Sequence, residues 1–541
     1  MKNKNLISLL MLLSVSSFLF LFKLGAMPLT DPDETFYAET AKEMLTANDW
    51  LTPKIFGEPQ FEKPVFYYWT IMASYKFFGV NEFSARLPSA LFGILGIIGI
   101  YTLGVMLSTP LGGLLSGLIA CTSIYYLGLA RGCVTDMVLT VFILFSLVFF
   151  LKGWSEKKRY YFLLSSASMA LAVLTKGPIG LFLPGLILIL FITLENKWKD
   201  IGRIPFLSGT AVFVVICLPW YLTMIDLHGK VFIGEFFGFH NVTRFLKPEH
   251  KIGSSPFFYF PIVLGGILPW TPFLLAGIWR SFFGKEPIIE RSGRTLFTIW
   301  FLTVFLFFSF SSTKLLTYIS PLFPVLAVIT GIFWEKFITG KTGGSEEKAF
   351  IIPGLVLLVI ASIPGFLVGR HIVLAKCPEA LASVTLGSAI LFSGILLALL
   401  FSIFGKRRLS FISLFLGVLV LSLPAFTYIM PIIGASESSA ALAGTALRLS
   451  GPGEPIGGES DRRRGIAFYT GRVDVPDIHT YGGLIAFFPR KERVWGIVQK
   501  KHYEQLAGYM KGQYFEVISS SGKYVLVTNK PLLTSPEETS K

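Results

Sequence analysis

Long apolar runs separated by short polar stretches set the pattern of this chain. Runs able to cross about 30 Å of hydrocarbon fall near 6–22, 87–107, 111–129, 134–151, 160–175, 178–194, 204–225, 256–278, 295–311, 315–334, 349–369, 383–404 and 410–429. They predict about thirteen transmembrane helices, some short or split by Gly or Pro, as at Pro178 and Pro184. Such breaks are tolerated where protein or water satisfies the freed backbone groups. The first run, Leu6 to Phe22, is longer than the ~7–15 residues of a signal-peptide core. With more spans behind it, it is expected to remain as the first helix.

Three longer polar segments interrupt this pattern: 24–86, 226–255 and the tail from about 434 to 541. In the tail, "GIAFYTGRVDV", "RVWGIVQ" and "FEVISSSGKYVLVTN" alternate as strands do, and "KKHYEQLAGYMK" reads as a helix. "SGK" at 521–523 suits the last hairpin turn. The expected plan is a transmembrane domain over 1–430 with extramembrane loops 24–86 and 226–255. A small soluble α/β domain then covers 434–541.

Composition agrees with a polytopic α-helical membrane protein: 53% of 541 residues are hydrophobic, 15% are charged, and Phe alone fills 52 positions. Mean hydropathy is +0.64. The net charge of +15 would suggest nucleic acid on a soluble protein. Here the basic residues crowd into "KGWSEKKR" (152–159), "NKWKDIGR" (196–203), 280–294, 336–348 and "KRR" (406–408), loops that alternate with sparsely basic ones. That is the positive-inside pattern with contacts to anionic headgroups; no nucleic-acid motif is present. It orients the three long segments away from the cytoplasm. Cys121, Cys133, Cys217 and Cys377 show no metal or redox spacing and read as small apolar residues.

The chemistry-bearing residues collect on that outer side. "LTDPDETFYAETAKEML" packs Asp31, Asp33 and Glu34 into four positions, followed by Glu62 and Lys63 in "FEKP". Then come Arg131 and Asp136 in "ARGCVTDM", Lys176 in "LTKGP", His240 and Arg244 in "FHNVTRF", and Lys314 and Tyr318 in "SSTKLLTYISPLFP". Ionisable residues within spans are costly, about 2.5–3.5 kcal/mol each on insertion scales, yet Asp136 opens an apolar run. Structural roles are open to each: Asp136 as an N-cap, Lys176 snorkelling, and Asp33 and Glu34 favoured by a helix dipole. Tyr37, Ala41, Met44 and Leu45 mark one face of an amphipathic helix suited to the membrane interface, with Glu39, Lys42 and Glu43 on its surface. Taken together, Lys63, Lys176 and Arg244, with Arg131 as a further candidate, would gather positive charge beneath carboxylates. Cations bind phosphate by charge-assisted hydrogen bonds, and carboxylates serve proton transfer. A phosphate-bearing lipid, or a sugar linked to one, fits this pattern.

The motifs "DPDETFYAETAKEML", "FEKPVFYYW", "TDM", "LTKGP", "FHNVTRF" and "SSTKLLTYISPLFP", in this order over about 28–325, resemble those of bacterial aminoarabinose transferases. These belong with the protein O-mannosyltransferases in the GT-C superfamily of membrane glycosyltransferases. The resemblance implies an inner-membrane enzyme that takes a sugar from a polyprenyl (undecaprenyl) phosphate at the periplasmic face, with inversion. The acceptor it implies is lipid A, with protein or another cell-surface glycan as the alternative. It implies catalytic roles for Asp33 and Asp136, donor-phosphate binding by Lys63, Lys176, Arg244 and Tyr318, and a zinc pair of Glu62 and His240. Two protein ligands are fewer than zinc usually takes. Phe36 stands where the aminoarabinose branch has Arg, so the resemblance bears on the class more than on the sugar. A transporter is the competing class. Transporters show internal repeats and midplane polar groups; this sequence has no repeat, and its ionisable residues gather at one face.

Overall fold

The computed structural model describes residues 2–243, 255–283, 288–340, 344–376, 378–509 and 514–531. Every one of the predicted apolar runs is helical, from Lys2–Leu21 to Arg407–Pro424. Among the described residues, eight helices are long and apolar enough to span a membrane, or up to ten if each of two bent pairs counts as one span. The chain is thus an integral membrane protein. Two runs are broken: Pro110–Thr122 meets Ile124–Ala130 at 70°, and Tyr259–Gly266 meets Thr271–Phe283 at 105°. Pro178 precedes Ile179–Leu194, and that helix continues through Pro184.

The helices pack closely because small residues line their contacts. A Cβ on Gly104 would lie 2.7 Å from the Gly113 Cα, so Glu82–Leu107 and Pro110–Thr122 touch backbone to backbone there. Thr135–Glu156 packs along Arg159–Lys176, and Leu381–Ile403 along Arg407–Pro424. Cys121, Cys133 and Cys217 are buried, as small apolar residues should be; Cys377 lies outside the described residues.

The segment 24–86 is a folded unit holding the helices Asp33–Thr46 and Phe66–Phe78 and a short hairpin, Lys54–Ile55 with Glu58–Pro59. The Asp33–Thr46 helix does not lie exposed in the membrane interface. It is sandwiched between Phe66–Phe78 and Arg463–Thr470, so Glu39 and Glu43, expected on its surface, are buried. The described part of the expected segment 226–255 is helical. Phe206–Phe232 kinks at Gly229, with φ +55°, and leads into the wider π-type turns of Ile233–Thr243.

After Met430–Ser436 the chain builds a four-stranded sheet in the order Ile456–Gly458, Trp495–Gln499, Tyr524–Thr528, Glu516–Ser521. The first pair is parallel and the others antiparallel. Alternation sorts its faces: Trp495, Ile497 and Leu526 pack with Leu442 and Ile466, while Val498, Val525 and Val527 pack with Leu484 and Phe487. Gly522, with φ +56°, makes the last hairpin turn, where "SGK" suggested it. "KKHYEQLAGY" is helical as expected. "GIAFYT" is not a strand. It belongs to the helix Arg463–Thr470, which buries Ile466, Ala467 and Phe468 and stops at Gly471 with φ +71°, a residue free to adopt the left-handed C-terminal turn.

Candidate active site

Three carboxylates in four residues open the Asp33–Thr46 region, and the fold gives each a different task. Glu34 is buried and forms a two-point pair with Arg86, Oε1 to Nε and Oε2 to Nη2 both at 2.7 Å. It also accepts the Thr30 and Cys133 amides at 2.9 Å. Burial alone pushes the Glu34 carboxyl up; Arg86 and these amides outweigh it and hold it below its ordinary value. The rest of Arg86 donates to the carbonyls of Leu24, Met27 and Pro28. The pair therefore ties the chain's exit from the first helix to the start of Thr135–Glu156. Asp31 faces the other way. It accepts the Ser439 amide and hydroxyl at 2.8 and 2.6 Å and Arg462 at 3.2 Å, which docks the C-terminal segment.

Only Asp33 is exposed, and it opens into a polar cavity of about 350 Å³. Asp136, Glu62, Lys63, Lys176, Thr313 and Tyr318 share that cavity. Enclosure by the cleft, and then the charge of Asp136, raise the Asp33 carboxyl above its ordinary value, with Arg464 pulling against them. Asp136 sits in the first turn of Thr135–Glu156 and Lys176 in the last turn of Arg159–Lys176, so two packed helices present them at the same end of the bundle. Their side chains meet, Nζ to Oδ1 at 2.5 Å. The Lys176 ammonium also lies 4.6 Å from the centre of the Tyr318 ring. Lys63 is 3.8 Å from its neighbour Glu62.

A second cavity, of about 440 Å³, adjoins the first and is apolar apart from the shared wall, His240 and Ser311. Leu139, Ile179, Phe182, Phe237, Phe307 and Phe308 make up its apolar lining. Glu62, Lys63, Lys176, Thr313 and Tyr318 line both spaces. An apolar slot thus meets a charged chamber at a wall carrying two ammonium groups and a phenol. That geometry suits a ligand with a hydrocarbon tail and an anionic head.

Of the sequence-derived site residues within the described chain, Asp33, Asp136, Glu62, Lys63, Lys176, His240 and Tyr318 line these two cavities. Arg244 lies outside the described residues. Arg131 is not part of the site. It donates to the Leu19 and Phe22 carbonyls at 2.8 and 2.9 Å and stacks on Phe426, so it caps the first helix. Lys314 turns back to the Ser311 carbonyl at 2.8 Å. Glu62 and His240 border the same cavity. Among the described residues no third His, Cys, Asp or Glu joins them to form a group able to hold a metal, which falls short of the three or four protein ligands of zinc sites. Sequence reasoning missed Ser460, Asp461 and Arg464, which close the polar cavity from the C-terminal segment. The triple arginine "RRR" at 462–464 was their one visible signal.

Residues 62–222 match the family model of dolichyl-phosphate-mannose-protein mannosyltransferases. An uncharacterized protein of Aquifex aeolicus is 31% identical over 360 residues, 65% of this chain and 77% of that one. The undecaprenyl phosphate-alpha-4-amino-4-deoxy-L-arabinose arabinosyl transferase of Enterobacter sp. (strain 638) is 31% identical over 367 residues, 65% of each chain. The matched stretch spans about 59–65% of the length of the arabinosyl transferases. In fold, the chain resembles ArnT from Cupriavidus metallidurans bound to undecaprenyl phosphate, with a TM-score of 0.79 at 22% identity over 97% of this chain and 99% of that one. The chain is thus related to this Aquifex aeolicus protein along most of that protein's length, is similar over about two thirds of its own length to the arabinosyl transferases, and has the fold of ArnT.

Proposed function

We propose that the protein transfers a sugar from a polyprenyl phosphate, undecaprenyl phosphate in bacteria, to an acceptor at the periplasmic face of the inner membrane. The first choice of reaction is transfer of a 4-amino-4-deoxy-L-arabinose-type sugar to lipid A. The observation that carries the reading is the wall of Glu62, Lys63, Lys176, Thr313 and Tyr318 shared by an apolar and a polar cavity. The apolar space takes the first isoprene units, the wall takes the phosphate, and the sugar lies toward Asp33 and Asp136.

In this reading the acceptor oxygen attacks the anomeric carbon from the side opposite the phosphate. The bond between that carbon and the phosphate oxygen breaks, its electron pair leaves with the polyprenyl phosphate, and one displacement inverts the centre. Lys63, Lys176 and Tyr318 stabilise the departing charge; Arg244 joins them by family resemblance. Stabilisation where charge develops is commonly the largest catalytic contribution. Asp33 orients the acceptor and takes its proton when it is a hydroxyl. A phosphate acceptor is already anionic and needs orientation only. No step passes through a metal. Ser460, Asp461 and Arg464 of the C-terminal segment close the chamber from the periplasmic side in this reading.

Phe36 and the match to the mannosyltransferase model favour a second reading, transfer of another sugar to protein or another surface glycan. Purified protein in lipid nanodiscs, given undecaprenyl phosphate bearing aminoarabinose or a hexose together with lipid A, tests both readings by mass spectrometry of the product. Transfer of aminoarabinose to lipid A is expected. Hexose transfer alone selects the second reading, and no transfer from any donor removes both.

A further inference from the structure

The sequence "SDRRRG" spends its three arginines in three ways. Arg462 pairs with Asp31 at 3.2 Å and stacks on Tyr524 with its guanidinium 4.0 Å from the ring centre. Arg463 donates to the Val475 carbonyl at 2.7 Å and stacks on Phe56 at 4.1 Å. Arg464 lines the polar cavity. Its guanidinium lies 4.6 Å from the centre of the Phe36 ring, and among the described residues it has no hydrogen bond or ion pair. A half-buried guanidinium on an aromatic face, with its donors unspent, is prepared for an incoming anion.

Its position is fixed. The Arg463–Thr470 helix is held by Arg462 on Asp31, by Lys42 donating to the Ala467 and Phe468 carbonyls at 3.0 Å, and by the Tyr469 hydroxyl accepting the Leu29 amide at 2.7 Å. Gly465 permits the approach: a Cβ there would fall 2.3 Å from a carboxylate oxygen of Asp31. The neighbours of Arg464 on the rim are engaged, Asp461 with the Tyr524 hydroxyl at 2.5 Å and Ser460 with Asp477 at 3.0 Å.

The cavity has two positive poles. Lys63 and Lys176 stand in the wall shared with the apolar slot, whereas Arg464 lines the polar chamber alone. A lipid donor whose phosphate meets the lysines leaves Arg464 for the second substrate. We propose that Arg464 is a specificity-determining residue that binds a phosphate monoester on the acceptor and holds it beside Asp33. The inference rests on the donor–acceptor reading above and deepens it. A planar guanidinium matches two phosphate oxygens at once, which places one of them, the attacking oxygen, in a fixed direction.

Direct binding to purified protein in nanodiscs tests this with two arms. Arg464→Gln is expected to bind undecaprenyl phosphate as the wild type does. It is expected to lose about tenfold or more in affinity for phosphorylated lipid A, the range for a charged hydrogen bond, with Arg464→Lys recovering part of the loss. Lipid A stripped of its phosphates is expected to bind both proteins equally weakly. Phosphatidylglycerol and inorganic phosphate are not expected to displace it. Arg464→Gln that holds phosphorylated lipid A like the wild type, or a wild type that ignores the phosphates, overturns the proposal. So does displacement by phosphatidylglycerol as effective as lipid A itself. Failure of the functional reading shows separately, as a wild type that does not bind undecaprenyl phosphate, a measurement in which Arg464 takes no part.

Discussion

Lys176 and Asp136 meet across the polar cavity with Nζ 2.5 Å from Oδ1. In the proposed reaction the contact divides the lysine between a structural partner and the donor phosphate. Asp136 is only 4% exposed, so removing Lys176 strands a buried carboxylate as well as a phosphate contact. Lys176→Ala is expected to weaken undecaprenyl phosphate binding by about tenfold or more and to lower turnover further. Asp136→Asn releases the ammonium, so donor binding should hold or tighten while turnover falls. Paired titrations of both variants check this; weaker donor binding in Asp136→Asn would contradict the division.

In the proposed reaction Asp33 sets the acid side of the activity profile. The enclosing cleft and the Asp136 charge raise its carboxyl, so the fraction able to accept a proton declines at a pH above the ordinary aspartate value of about 3.9. Glu62 adds to the rise. Glu62→Gln should therefore move the acid limb of kcat toward lower pH. Asp33→Asn should cost about 10²–10⁴-fold with a hydroxyl acceptor, and less with a phosphate. Rate profiles from pH 4 to 8 test both; near-normal turnover of Asp33→Asn with every acceptor removes it from the chemistry.

The membrane half of the site was legible because polar residues are conspicuous in apolar sequence. Asp136 and Lys176 break long hydrophobic runs, and Lys63, Glu62 and Tyr318 sit in short motifs beside them. The division of labour among Asp31, Asp33 and Glu34 was not. It depends on Arg462 and Arg86, residues distant in sequence. Arg464 was hidden for the same reason, and "GIAFYT" misled because a short alternating stretch also suits a helix buried by tertiary contacts. Phe36 shows how the two halves meet: the position that departs from the aminoarabinose pattern is the one covered by Arg464.

The Glu34–Arg86 pair is expected to act on folding rather than on chemistry. Both side chains are buried and every oxygen of Glu34 is engaged. Arg86→Ala leaves an uncompensated buried charge, which costs about 3–5 kcal/mol. The double change Glu34→Gln with Arg86→Met should recover part of that loss. Thermal unfolding in detergent gives the order, and a single variant as stable as the double one would show that the charge is not the cause.

Glu39 supplies a pH dependence of stability distinct from the active site. It is 1% exposed, and burial pushes its carboxyl up to about 7 despite Lys42, whose ammonium lies 3.0 Å away. A carboxyl raised in the folded state favours folding while it is protonated. Its contribution is present below the unfolded value near 4.5 and is lost as pH rises through about 7. The wild type should therefore become less stable across that window, by roughly 3 kcal/mol at most. In Glu39→Gln this component is gone, and Lys42 keeps the Ala467 and Phe468 carbonyls. Melting temperatures at pH 5, 6 and 8 should converge at low pH and separate at high pH, with the variant the more stable at pH 8. Parallel curves would mean that Glu39 stays ionised in the folded protein.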